Sequence, residues 1–349
     1  MSSLKKTIAV VGTVVLLTVL FVSCNGKSGQ SENASGKTVS GPEYNFNIGF
    51  SPNEESINYA IATKAKELME QKSNGRVTMT VYPNSQLGKD RETIEGTIAG
   101  NVDFVLLVTP LYVDFVPAVA VFDLPNIFPD LETARKTLDG PALPAMQAAF
   151  EQYGLKLFSF SDAGFREMST SKPVRSIADF TGQKIRVMEN KNHIEYWRSL
   201  GANPTPMDFA EVYISLQQKT IDAQENPYDL IITSKFYEVQ NAVVETNHIL
   251  HILTPAMNLA RYNSLPADVQ KIVADSIDEA TKYGRQVADQ RIAGYKQTIR
   301  DNKNEIITIP EDMRLEIVRR SQSVVKMVRD QIGDQLVDQV LAAVESVSK

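Results

Sequence analysis

Apolar and polar positions alternate at the start of the folded chain. Tyr44, Phe46, Ile48 and Phe50 are set against Asn45, Asn47 and Gly49, which predicts a strand with one face in a core. The period then changes. Ile57, Ile61, Ala65 and Leu68 recur at helical spacing up to Gly75, a helix stop. Residues 77–81 alternate again, 90–99 read as a helix, and 102–108 form an apolar strand. This strand–helix order predicts a largely parallel sheet with helices on both faces, whose ligands bind at the carboxyl ends of strands.

Strand patterns return at 155–160, 164–171 and 184–188, with helices at 192–200 and about 209–219. In 184–188 the apolar Ile185 and Val187 take one face, so Lys184, Arg186 and Met188 take the other. From Pro266 to about Lys303 the spacing stays helical throughout. Such a helix would be ~55 Å long, beyond the ~30 Å of a small domain, and must touch two domains. Gly284 and Gly294 are its weak points, at about 1 kcal/mol each relative to alanine. Two amphipathic helices split near 332–335 close the chain, and no internal repeat is evident.

The N-terminus adds a different element: Lys5 and Lys6, an apolar run from Thr7 to Val22, then Cys24. That is the pattern of a secretory leader, residues 1–23, and it is similar to a bacterial lipoprotein signal with Cys24 as the lipidated residue. A plain transmembrane anchor is the alternative, although the run is short for the ~20 residues of a span. Residues 24–43 are small and polar, as in a flexible tether. Cys24 is the sole cysteine, so an acylated mature chain has no thiol for disulfides, metal or nucleophilic chemistry. With 349 residues and 43% hydrophobic content the chain fits about two domains. Its charge of −6, or −6 − 2 = −8 without the two leader lysines, argues against nucleic acid as a partner.

Enzymatic chemistry finds little support, since no G-x-S-x-G elbow, P-loop or H-E-x-x-H occurs. The three histidines are His193 on a predicted helix and His248 and His251 in an apolar run, and they read as structural, with no metal site expected. Asp222 and Glu225 suit a turn as well as an acid/base pair. Arginine is more informative. Arg166 and Arg186 stand in apolar or strand-like settings, where an unpaired charge would cost several kcal/mol. Each requires either an internal salt bridge or an anionic ligand, whose carboxylate a guanidinium fork matches two bonds at a time.

The run "GFREMSTSKPVRSIADFTGQKIRVMEN" and the later "LGANPTPMDFAEVYISLQQKTIDAQENP" resemble the substrate-binding proteins of TRAP (tripartite ATP-independent periplasmic) transporters. "VYPNSQLGKDRETIE", "VDFVLLV" and "LPNIF" extend the similarity to about residues 44–345. The resemblance implies an α/β, two-lobed periplasmic-binding-protein-like clamshell with a long helix spanning both lobes. Lobe 1 would comprise 44–163 plus about 252–291, and lobe 2 164–251 plus about 292–349. It implies a bidentate salt bridge from Arg186 to a ligand carboxylate, a second carboxylate or hydroxyl contact from Arg166, a polar contact from Asn226 and an aromatic wall at Phe209. Two further candidates are Glu189, three residues after Arg186, and Tyr112 in "PLYVDF". The family's usual D-G-Q-E-N-P is "DAQENP" here, with Ala223 in place of glycine. The implied function is capture of an organic acid and its delivery to an ion-gradient-driven TRAP permease, without catalysis or cofactor, by a monomer anchored outside the cytoplasm. A ligand sensor or adaptor of the same fold is the alternative.

Overall fold

The computed structural model describes residues 42–348. The predicted leader, the candidate lipidation site Cys24 and nearly all of the predicted tether lie outside them. Among the described residues twelve strands form two six-stranded sheets. The first contains β1 (Tyr44–Gly49), β2 (Val77–Tyr82), β3 (Phe104–Val108), β4 (Leu155–Leu157), β5 (Ser161–Phe165) and β11 (Leu250–Asn258), in the order β2-β1-β3-β11-β4 with β5 also on β11. The second contains β6 (Glu167–Thr170), β7 (Lys184–Val187), β8 (Asn203–Pro206), β9 (Ala223–Asn226), β10 (Ala242–Glu245) and β12 (Glu305–Thr308), in the order β12-β10-β6-β9-β7-β8. Each sheet with its helices is one lobe of an α/β clamshell.

The chain passes between the sheets three times. Arg166 alone separates β5 from β6, residues 246–249 carry β10 into β11, and the long helix leads from the first sheet to β12. The first two passages are tied together, because Arg166 N donates to Ile249 O at 2.8 Å. These passages correct two sequence expectations. The stretch 164–171 is not one strand but two, belonging to different sheets. Nor are the sheets largely parallel: β11 runs antiparallel to β3, β4 and β5, and β6 antiparallel to β9 and β10. Strands joined by a helical crossover within one sheet must be parallel, whereas a strand arriving from the other lobe has no such constraint.

The long helix spans Ala267–Asp301, 35 residues or ~52 Å. It packs along helix Ile57–Ser73 and β5 in the first lobe, then on helix Tyr228–Thr233 and β12 in the second. It runs unbroken through Gly284 and Gly294. Gly284 serves close packing. A Cβ there would overlap Ile61 Cγ1 and stand 2.7 Å from Ile61 Cδ1 and 3.0 Å from Ser161 Oγ. Gly284→Ala is therefore expected to cost about 1–3 kcal/mol, measured by urea unfolding, and Gly284→Ala combined with Ile61→Ala should recover part of it. No loss in the single variant would show that the two helices can move apart freely.

Three helices, Glu311–Arg320, Gln322–Ile332 and Asp334–Val347, complete the chain, the last two broken by Gly333 at φ 84°. Among the described residues no helix is long and apolar enough to cross a membrane.

Candidate ligand-binding site

Carboxyl ends of strands from both sheets converge on one cavity. Ser51 and Pro52 follow β1, Leu107 and Val108 end β3, Met188 follows β7 and Asn226 ends β9, and all line it. That placement is the one expected for open α/β sheets, where crossovers leave a crevice at the strand ends.

Arg186 enters the cavity from β7 and is 2% exposed. Its Nε and Nη2 donate to the Met207 carbonyl at 2.9 and 2.6 Å. A guanidinium has five N–H donors, so three remain, two of them on Nη1. Among the described residues no carboxylate lies within the 4.0 Å of an ion pair with Arg186. Burial pushes its pKa down to about 10, with the nearby Glu225 charge opposing, so the group stays cationic at neutral pH. A buried cation held by a single carbonyl, with one edge of its fork free, is suited to receive an external carboxylate.

Arg166 has the opposite surroundings, although it lines the same cavity. Its Nε donates to Glu225 Oε2 at 2.5 Å, Nη2 to Glu225 Oε1 at 2.9 Å and Glu225 O at 2.5 Å, and Nη1 to His251 Nδ1 at 2.6 Å. Because the arginine donates, His251 accepts through Nδ1 as a neutral ring, in keeping with a pKa that burial, then the Arg166 charge, push well down. Four of the five N–H groups of Arg166 are thereby used, leaving one for a ligand hydroxyl or carboxylate oxygen.

Around Glu225 the network continues. His248 Nε2 bonds Glu225 Oε2 at 3.0 Å while its Nδ1 meets Thr246 Oγ1 at 2.8 Å. His193 lies between Asp123, 3.3 Å from Oδ1, and Glu225, 3.7 Å from Oε1. Burial alone would raise the Glu225 carboxyl, but Arg166 and the two histidines outweigh it and hold it well below the usual range. For His193 burial would lower the pKa, and the two carboxylates instead push it up to about 9.

A histidine raised above its unfolded value near 6.5 binds its proton more tightly in the folded state. The stabilisation is full below pH ~6.5 and is lost as pH rises through about 9. Wild type should therefore lose on the order of 3 kcal/mol between those limits, and His193→Gln much less. Melting profiles of both proteins across the window check this; parallel profiles would show that His193 is not protonated.

The other candidates divide. Asn226 lines the cavity, its Nδ2 donating to Gln224 Oε1 at 2.6 Å, and half-buried Phe209 forms a wall, edge-on to Phe236 at 5.9 Å. Glu189 is exposed and lines a neighbouring recess beside Arg186, together with Asp90 and Asp208. Tyr112 is corrected: it is fully buried, donates to Thr254 O at 3.0 Å, packs on Phe150 and is not among the lining residues. The short helical turn Thr109–Tyr112 rotates its ring into the first-lobe core. Ala223 sits in regular strand β9, where no glycine is needed.

Sequence reasoning missed Asp90, which lines both the cavity and the recess. It is half-buried, accepts a hydrogen bond from Ser51 Oγ, and has its pKa raised mainly by burial. Asn58, whose Nδ2 donates to Leu106 O at 2.9 Å, was missed as well. The available clue was Asp90's place at the first turn of a helix directly after the turn "PNSQLG".

Comparison with known proteins gives a consistent picture. The family model for bacterial extracellular solute-binding protein family 7, DctP, matches residues 48–331. The chain is 32% identical to the 2,3-diketo-L-gulonate-binding periplasmic protein YiaO of Escherichia coli, over 74% of this chain and 78% of that one. It is 30% identical to the C4-dicarboxylate-binding periplasmic protein DctP of Shewanella loihica, over 82% and 85%. Among solved structures, a TRAP periplasmic solute-binding protein of Shewanella oneidensis with bound succinate superposes with TM-score 0.82 at 29% identity, over 86% of this chain and 99% of that one. The sugar acid binding protein of Advenella mimigardefordensis with galactonate superposes with TM-score 0.85 at 25% identity, over 88% and 100%. The chain belongs to bacterial extracellular solute-binding protein family 7.

Proposed function

We propose that this protein is an extracytoplasmic receptor that captures an organic acid between its lobes and hands it to a TRAP permease, performing no chemistry itself. The observation that carries the reading is Arg186, a buried cation with three unused N–H groups and no acidic partner among the described residues, set at converging strand ends. Relatives and neighbours whose names specify C4-dicarboxylates, succinate and galactonate support an acid as the ligand. In this reading Arg186 takes the carboxylate on Nη1 and Nη2, Arg166 and Asn226 contribute single polar contacts, Phe209 covers the ligand, and Glu189 meets it at the rim. In this reading the lobes divide at the crossings, residues 44–165 with 250 to about 291 and residues 167–245 with about 292–349, so the expected bounds at 163/164 and 251/252 shift to Arg166 and residues 246–249. Lipid on Cys24 holds a monomer at the membrane, and loss of membrane association in Cys24→Ser would support that anchor.

Charge narrows the ligand. Glu225 neutralises Arg166, so among the described residues lining the cavity Arg186 is the cation left for a ligand, while Asp90 faces the same cavity and repels a second carboxylate. Apolar Leu107, Val108, Leu111, Met188, Leu230 and Leu253 form much of the remaining wall. A monocarboxylate with a hydroxyl to donate to Asp90 fits better than a dicarboxylate.

A thermal-shift panel of organic acids and their neutral amides tests the reading. Ligand at about 1,000 times its Kd adds ~4 kcal/mol, enough for a shift of several degrees. Hydroxy-monocarboxylates should give the largest shifts and amides none. Equal shifts from acids and amides would remove the carboxylate from the account.

A further inference from the structure

The crossing strand has a second face that organic-acid capture does not use. Side chains alternate along it, so that Arg166 lines the cleft while Phe165 and Glu167 line a separate cavity on the other side. This cavity is about 330 Å³, against about 30 Å³ for the cleft. It falls at the lower end of the ~300–1,000 Å³ typical of small-molecule sites. All three passages between the lobes wall it: Phe165 and Glu167, Asn247, and Ala288 to Lys296 of the long helix.

Its charges are unequal. Glu167, Glu245 and Asp289 face the cavity, with Lys296 as the one lining base among the described residues. Lys296 Nζ is held by Glu245 at 2.7 Å and lies over the Tyr228 ring at 5.1 Å. Asp289 is held by Arg135 through two bonds of 2.8 Å. Glu167, 4% exposed, has only the Asn247 N–H at 2.9 Å, with no basic group of the described residues in ion-pair range. A buried carboxyl without a cation is costly to ionise, and burial pushes its pKa up to about 8. What the cavity lacks is a positive hydrogen-bond donor at Glu167.

We propose that this cavity is a second binding site, which takes a small organic ammonium ion with its head on the Glu167 carboxylate and its aliphatic body against Phe165, Ala288 and Ile292. Lys296 and Arg135 are already held by Glu245 and Asp289, so among the described residues no free cation faces an anion there and the organic acid of the cleft does not compete for it.

Saturation-transfer NMR with n-butylammonium chloride on the purified full chain tests this, with 1-butanol and butyrate as controls. The ammonium ion should bind wild type and Arg186→Ala equally. Glu167→Gln should weaken it at least about tenfold, the loss of a charge-assisted bond. Ile292→Trp, which fills the cavity from its outer wall without touching the carboxyl, should abolish it. Absence of binding to wild type, equal binding of 1-butanol, loss of binding in Arg186→Ala, or undiminished binding in both cavity variants would each overturn the proposal and leave a water-filled cavity.

Discussion

Arg186→Ala is expected to weaken organic-acid binding by about 2–5 kcal/mol, roughly 30-fold to several thousand-fold, as for one partner of a buried ion pair. The effect should be large because the guanidinium is already desolvated and fixed. Two of its donors are bonded to Met207 O, so little rotamer freedom remains to be lost on binding. Arg186→Lys should recover only part of the affinity, since an ammonium keeps the charge and loses the planar fork. Fold stability should change little or even rise in Arg186→Ala, because a buried unpaired cation is removed. Calorimetric titration of the three proteins with one acid checks the order wild type, Lys, Ala.

Glu225→Ala should have the largest effect on stability, about 3–5 kcal/mol by urea unfolding. Arg166 is fully buried, and removing Glu225 takes away both carboxylate bonds of its ion pair as well as the partner of His248. The remaining acceptors, Glu225 O and His251 Nδ1, carry no charge to offset the guanidinium. Arg166→Met combined with Glu225→Leu should restore much of the loss, as expected when an ion pair is replaced by apolar groups of similar volume. An unstable double variant would mean that the pair supplies more than mutual compensation.

Much of this architecture was legible in the chain because it rests on local periodicity. The long helix was expected at 266–303 and lies at Ala267–Asp301; alternation put Arg186 opposite Ile185 and Val187. Pairing across long sequence distances was not legible. Arg166 and Glu225 are 59 residues apart, and nothing in either segment showed that one would neutralise the other while Arg186 stayed free. The same holds for the antiparallel strands, which follow from passages between lobes rather than from the pattern within a strand. Tyr112 failed for a third reason. A rotation at one helical turn decides whether a side chain faces core or cleft, and hydrophobic pattern is silent on it, since an aromatic ring suits both.

The central claim is that Arg186 binds the ligand carboxylate, and a crystal structure of the protein with the acid that shifts its melting most tests it directly. The predicted result is a carboxylate with both oxygens ~2.8 Å from Nη1 and Nη2 of Arg186, while Nε remains on Met207 O. A carboxylate bound elsewhere, with Arg186 still bonded only to Met207, would contradict the account.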